Sequence, residues 1–473
     1  MKTPMERAWE AWNSCEELRS RRERYKRFTY GRQWDDPIKD PDTGRVTTER
    51  EILSRDGRPP LTNNMIRQLV KCVVGRFRVY RSKVANDSSN PSILRRLARI
   101  QLENELDELD CRLLEEFLIS GTAIQRLGRL PGHDPESPTV NNVALSRFFL
   151  TLPRDPRGRD IRLAGMLHDM SCDEVVAEFG TGSKRYASEL MSKVGSMVSM
   201  SPVGSSTGAP GEYDFHYSGE YGKVRVIEVW ESRLTEILRC HDRADGSYRE
   251  CRREEQEIIE RENTRRLKEG QPTIRTRLVN ERRWYGTWLL GDGTVLREEL
   301  RCSGEESPFV IKFYPVVDGE VHSLVEDVID QQKYVNRLVN LIDRIMASSA
   351  KGALLFPVDC LAEGMELTHV AKAWSATDGI IPYKFRPGDE PPRQLNPSVG
   401  DIGAKDLLKL EMQMFHDVSG VGEVLLGQTP DSRTGAARYA AQVENATVAI
   451  RDLMDTFLSF LHRRDRRLIK EMI

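Results

Sequence analysis

The chain has no C-x-x-C pair: its eight cysteines are scattered at positions 15, 72, 111, 172, 240, 251, 302 and 360. In 473 residues that scatter reads as free thiols in a reducing compartment and argues against a disulfide framework. No H-E-x-x-H occurs and the eight histidines never pair at metal-ligand spacing, so no metal is expected. No G-x-x-x-x-G-K-[ST] is present, which excludes a recognisable P-loop motor. A basic excess is missing too. Lys+Arg total 71 against 73 Asp+Glu, a net charge of −2, which excludes tight sequence-independent wrapping of DNA but leaves local basic clusters able to touch phosphate. No apolar run approaches the ~20 residues of a membrane span. The start, MKTPMERAWEAWNSCEELRSRRERY, lacks the apolar core of a signal peptide. A chain that is intracellular, or assembles there, is the expectation.

Two apparent motifs fail on context. Gly204-Ser205-Ser206-Thr207-Gly208 is formally G-x-S-x-G, but neither a strand nor a helix is expected around it, as a nucleophile elbow requires. Gly420 to Gly427 has one residue too many for a dinucleotide fingerprint and follows a helix pattern, not a strand. The carboxylates at 35, 36, 40 and 42 lack the order of a calcium loop and read as turn formers. No catalytic residue and no cofactor is expected.

What is present is organised around Phe309 to Pro357. A β-like run ends at the turn Asp318-Gly319, and a long helix pattern follows from about His322 to Ala350. Val328, Val335 and Ile342 recur at sevens, as do Leu324, Leu338 and Ile345, with Gln331 the polar member of that series. Such seams suit a helix lying lengthwise against others. Before it, the spacing predicts helices over Met5 to Phe28, Thr62 to Phe77 (capped by Thr62-Asn63-Asn64) and Pro91 to Ser120. Strands are expected over Thr122 to Leu130 and Asn142 to Leu152. Ser192 to Gly211 reads as a loop or linker, and Lys223 to Ser232 with Leu234 to His241 as a hairpin. Glu250 to Glu269 is a mixed-charge, solvated helix, and Arg283 to Glu298 a hairpin turning at Gly291-Asp292-Gly293. After the long helix come a small unit of short runs, a helix from Ala404 to about Asp417, and a last helix from Ala436 with a basic end. Fold class: α+β, with long helices.

Four stretches then carry a resemblance. They are Phe28-Thr29-Tyr30-Gly31-Arg32-Gln33-Trp34 with RPPLTNN and VVGRFR, PFVIKFYPVVDGEVHSLVEDVIDQQKYVNRLVNLI, AKGALLFP, and GVGEVLLGQTPDSRTGAARYAAQVENA. In their order and spacing the chain resembles the portal proteins of tailed bacteriophages, particularly the podovirus type. The resemblance implies a portal-like fold with an α/β wing, long stem helices, a small α/β clip and a helical crown. On this sequence the wing is 1–322, the stem helix 323–350, the clip 351–403, the stem return 404–418, the tunnel-loop region 419–435 and the C-terminal wing or crown helix 436–473.

The resemblance also implies a dodecameric ring at the portal vertex of the virion capsid, assembled in the host cytoplasm. Double-stranded DNA is packaged and ejected through such a ring. Implied partners are terminase, head-tail adaptors, and the major capsid and scaffolding proteins, with no membrane. Implied site residues fall in three groups. Gln428, Thr429, Pro430, Asp431, Ser432, Arg433 and Thr434 would line the DNA tunnel. Lys384, Arg386 and Arg393 would meet motor or adaptor, and Leu324, Val328, Val335, Leu338, Ile342 and Ile345 would pack subunits along the stem. Some relatives continue into a helical barrel, whereas this sequence stops at Ile473 and is expected to lack one. The physics is compatible: a conduit that let lysines and arginines grip many phosphates would brake sliding. Two other readings stand beside it, a non-ring adaptor or scaffold and, with no ordered carboxylate cluster for Mg2+, a DNA-processing enzyme.

Overall fold

The computed structural model describes residues 2–56, 59–81, 91–128, 138–200, 214–251, 253–300, 306–351, 353–362, 364–375, 380–384, 390–395, 403–421, 448 and 450–472. The mixture is about half helix and a quarter sheet, an α+β fold.

The longest strand, Lys223–Asp242, organises the β part. Its first half alternates between two cores. Val224, Val226 and Trp230 face one, with Phe148 and Val194, while Ile227 and Val229 face the other, with Ala8, Trp12 and Phe149. A strand covered on both sides needs the unbroken apolar run VRVIEVW. It pairs antiparallel with Leu163–Ser171 on one side and Ile274–Leu290 on the other, and Phe148–Leu150 and Val295–Leu300 complete that sheet. Gly286 lies opposite Trp230, and a Cβ there would sit 2.8 Å from the indole. Past Glu231 the strand leaves Leu163–Ser171 behind and continues as an arm with Ile274–Leu290. That arm is backed by Tyr248–Cys251 and the helix Gln256–Lys268 over a small core of Leu238, Cys240, Cys251, Ile259 and Ile274. The expected hairpin between 223–232 and 234–241 is therefore one strand. Ser232-Arg233 is polar because the strand leaves the core there, not because it turns.

The helical part gathers Glu16–Thr29, Met65–Arg81, Pro91–Glu103, Leu106–Ser120 and Arg451–Met472 around the first half of the central helix Leu324–Lys351. Phe28, Phe77, Phe117, Val328, Val335 and Phe457 fill its middle. Phe77 and Phe117 sit 5.3 and 5.5 Å from the Phe457 ring. A three-stranded antiparallel sheet, Phe309–Phe313, Thr122–Gly128 and Thr139–Asn142, joins this core to the large sheet. The turn into the central helix is the expected one: Asp318 and Gly319 both have positive φ, 54° and 90°, as a tight I′-type hairpin turn demands. The return helix Ala404–Ser419 packs along the central helix. Between them, Ala353–Leu355 pairs with Arg393–Leu395 beside the short helix Leu367–Ser375.

Further expectations need correction. Met5 to Phe28 is two helices, Pro4–Ser14 and Glu16–Thr29, broken at Cys15, whose thiol donates to the Leu150 carbonyl at 3.3 Å. Ala8 and Ala11 take the buried stripe and Trp9 is left 40% exposed, so the stripe through Met5, Trp9, Trp12 and Cys15 holds only in part. Pro91 to Ser120 breaks at Glu105, a non-glycine residue held at φ 48°. Ser192 to Met200 is helical, part of Lys184–Met200, because Leu190 and Val194 bury against the sheet. The rest of that expected linker, with the G-x-S-x-G, lies outside the described residues. Asn142 to Leu152 divides into the end of Thr139–Asn142, a 3-10 turn at Leu145–Arg147 and Phe148–Leu150. Tyr30 to Pro60, expected as loop, contains the small hairpin Pro37–Lys39/Val46–Thr48 and the helix Glu49–Leu53. Asp36 and Asp40 act there as ion-pair acceptors as well as turn formers, with Arg24 and Arg55 respectively.

Candidate functional site

The central helix carries the site, and three amides on one of its faces hold it. Gln332, Asn336 and Asn340 stand four residues apart, a stacking that the helical repeat gives to one side. The Gln332 side-chain oxygen accepts from the amides of Met65 (2.8 Å) and Ile66 (3.2 Å), and its nitrogen donates to the Asn63 carbonyl at 2.6 Å. Asn336 accepts from the Asn63 amide at 2.9 Å and donates to Gln33. Asn340 accepts from the Leu61 amide (2.8 Å) and donates to its carbonyl (3.0 Å). Asn64 caps the same helix start by accepting from the Arg67 amide at 3.0 Å, the cap that Thr62-Asn63-Asn64 announces. The ladder thus satisfies the open backbone donors at the start of Met65–Arg81 and ties them to a helix some 270 residues later. Sequence reasoning dwelt on Gln331 and missed Gln332. The i, i+4, i+8 run of amides was the available signal.

Two buried charge clusters fix the flanking elements. Arg464 of the C-terminal helix pairs with Asp110, both essentially without solvent contact. Burial pulls this guanidinium down, but Asp110 and Asp465 outweigh it and hold the pKa up. The final turns read as basic are therefore partly structural. Glu228 is fully buried within the sheet, accepting from Arg126 (3.1 Å), His168 (2.8 Å) and the Trp230 indole (2.8 Å). Burial alone would raise its pKa, yet Arg126 and His168 bring it down to about 2.

The seam residues divide along the helix. Val328 and Val335 are fully buried and Leu338 nearly so, covered by this chain's own core, while Leu324 packs at its edge. Ile342 and Ile345 are half-buried. Next to them Leu341 and Met346 are exposed, and so are Leu410, Met414 and Val418 on the return helix. The first half of the seam is thus covered within this chain, whereas the second half is not. In the small unit Lys384 is exposed, its amide donating to the Cys360 carbonyl at 2.9 Å, and Arg393 is exposed on its strand. Arg386 and the tunnel candidates Gln428 to Thr434 lie outside the described residues, as do residues 436–447 of the expected last helix. Among the described residues no group of metal-ligating side chains assembles, and no helix is long and apolar enough to cross a membrane.

A chain with a long central helix, a lengthwise return helix, a small α/β unit between them and a sheet-based outer part can be compared with known proteins. The family model for phage P22-like portal proteins matches residues 115–473. The chain belongs to the phage P22-like portal protein family. No curated protein matches it. The portal family match takes in the second, third and fourth stretches of the resemblance, whereas Phe28 to Trp34 and the RPPLTNN segment precede it. A podovirus-type portal protein is structural, not enzymatic, and works as an oligomer at a capsid vertex of the virion in genome packaging.

Proposed function

We propose that this chain is the subunit of a closed ring, of about a dozen copies, set at one capsid vertex. Double-stranded DNA enters and leaves the head through the ring, which gives the terminase motor and the head-tail adaptors their docking platform. In this reading 1–322 forms the wing, 323–350 and 404–418 the two stem helices, 351–403 the clip, 419–435 the tunnel-loop region and 436–473 the wing and crown helix. Residues Gln428 to Thr434 line the channel. Lys384, Arg386 and Arg393 face the motor or adaptor, and capsid and scaffolding proteins surround the ring as it forms in the host cytoplasm.

One observation beyond family membership carries the ring. The second half of the central helix and the return helix leave Leu341, Met346, Leu410, Met414 and Val418 open to solvent, on elements whose other faces are packed. Several exposed apolar side chains on two helices that pack together favour an association surface, and repetition of one heterologous contact can close a ring. Intersubunit packing thus rests on the outer half of the stem, with Ile342 and Ile345 beneath it. Val328, Val335 and Leu338 serve the subunit's own core.

Native mass spectrometry of the purified chain, with negative-stain microscopy, tests this. A ring of about a dozen subunits with a central channel is the expected result. A chain that stays monomeric across concentration, salt and added scaffolding protein overturns it.

A further inference from the structure

Most arginines of this chain are already matched to carboxylates, as at Arg22–Glu116, Arg126–Glu228 and Arg464–Asp110. One concavity breaks that rule. A cavity of about 780 Å3 lies between the loop 157–162, the strands Ile274–Leu290 and Phe309–Phe313, and the C-terminal helix. Its walls carry ten basic side chains and a single carboxylate, Glu306, so the surplus is the pocket's main chemical property. Glu306 is committed to Arg463 and Arg467, and nearby Asp155 to Arg157. Arg159, Arg162, Arg282, Arg466 and Lys312 form no ion pair with any described residue. Lys312 is held below its usual pKa by burial and then by Arg463, and burial lowers Arg463 as well. Arg159, Arg162, Arg282 and Arg466 reach solvent at the rim, and like charges crowded around one concavity raise the local affinity for an anion.

We propose that this concavity is a binding site for clustered phosphates. The volume lies in the range of small-ligand sites. Guanidinium forks match phosphate oxygens two at a time. An acidic peptide in extended form spaces its side chains by roughly 3.3–3.6 Å per residue and alternates their direction, so few carboxylates reach one small cavity. A run of phosphates concentrates several charges in that space. Trp284 on the wall adds an aromatic face against which a base or sugar can rest. The site does not depend on the ring, because every wall comes from one chain.

The test uses the full-length protein and two phosphate sources, sodium tripolyphosphate and a short single-stranded oligonucleotide, titrated calorimetrically at low salt. Saturable binding of tripolyphosphate that weakens as salt rises is the expected result. The double variant R159E/R466E, both positions exposed, weakens it by roughly tenfold or more. R185E, on an exposed arginine paired to Glu189 outside this cavity, leaves it unchanged. An oligonucleotide that displaces tripolyphosphate identifies a nucleic-acid strand as the source, and one that does not identifies a free anion. The proposal is overturned if tripolyphosphate shows no saturable binding, if R159E/R466E binds like the parent, or if polyglutamate binds more tightly than either phosphate source.

Discussion

The two halves of the central helix share one seven-residue periodicity and have opposite fates. In the first half, Val325, Val328, Ile329 and Val335 vanish into the helical core, and Gln332, Asn336 and Asn340 lock the adjoining face to the segment 61–66. In the second half, apolar side chains at 341 and 346 remain open, beside open ones on the return helix. Heptad spacing says that a helix lies along something. It does not say whether the partner is the same chain or another copy, because packing of either origin rewards the same pattern.

Substitutions can break the two halves apart. The largest effect belongs to Val328→Asp or Val335→Asp, which bury an unpaired charge at a site with no solvent. A loss of about 3–5 kcal/mol is expected, enough to remove a cooperative thermal transition. Next comes Gln332→Leu, which takes the side-chain acceptor from the Ile66 amide and leaves the Met65 amide and Asn63 carbonyl only their bond to each other, at roughly 1–3 kcal/mol, read as a lowered melting temperature with the fold retained. A milder handle is acid. Burial raises the Glu326 pKa, but hydrogen bonds from Tyr25 and Arg21 outweigh that and leave it below the usual carboxylate value. Its stabilisation is therefore complete above the unfolded carboxylate range and fades as pH falls through the lower folded value. Hydrogen exchange should show the first turns of the helix loosening at acid pH before the core around Phe457. The smallest effect on the fold belongs to Leu341→Asp, within about 0.5 kcal/mol of the parent by melting. Sedimentation should nonetheless show its assembly lost. Were Leu341→Asp to unfold the subunit, or Val335→Asp to fold and merely fail to assemble, the contrast between the halves would be wrong.

Several elements were legible because their signals are local. The cap at Asn64, the turn at Asp318-Gly319 and the hairpin at Gly291 to Gly293 all depend on residues within a few positions of one another. Misreadings arose where distant partners decide. The break at Glu105 has no glycine or proline to mark it, since tertiary packing holds an ordinary residue at positive φ. Ser192 to Met200 looked thin in composition, yet its spaced apolar residues cover a sheet built from strands elsewhere in the chain. Lys223–Asp242 read as two strands because its polar middle marks the edge of a core, which no local pattern distinguishes from a turn. The candidate site was legible in part: the apolar seam could be seen, but not the depth to which each residue is covered. The amide ladder was visible only as spacing, without the segment it holds.

That ladder has a consequence for how the protein is made. The contacts that seat the central helix join residues 61–66 to 332–340, and the aromatic core beneath includes Phe457 and Phe460. Loops this long close late and slowly. The N-terminal helices can pack on one another early, but the core they share is complete only once the segments around 332–340 and 450–461 have joined them. Seating the central helix is thus a late event, set by the longest separations in the chain.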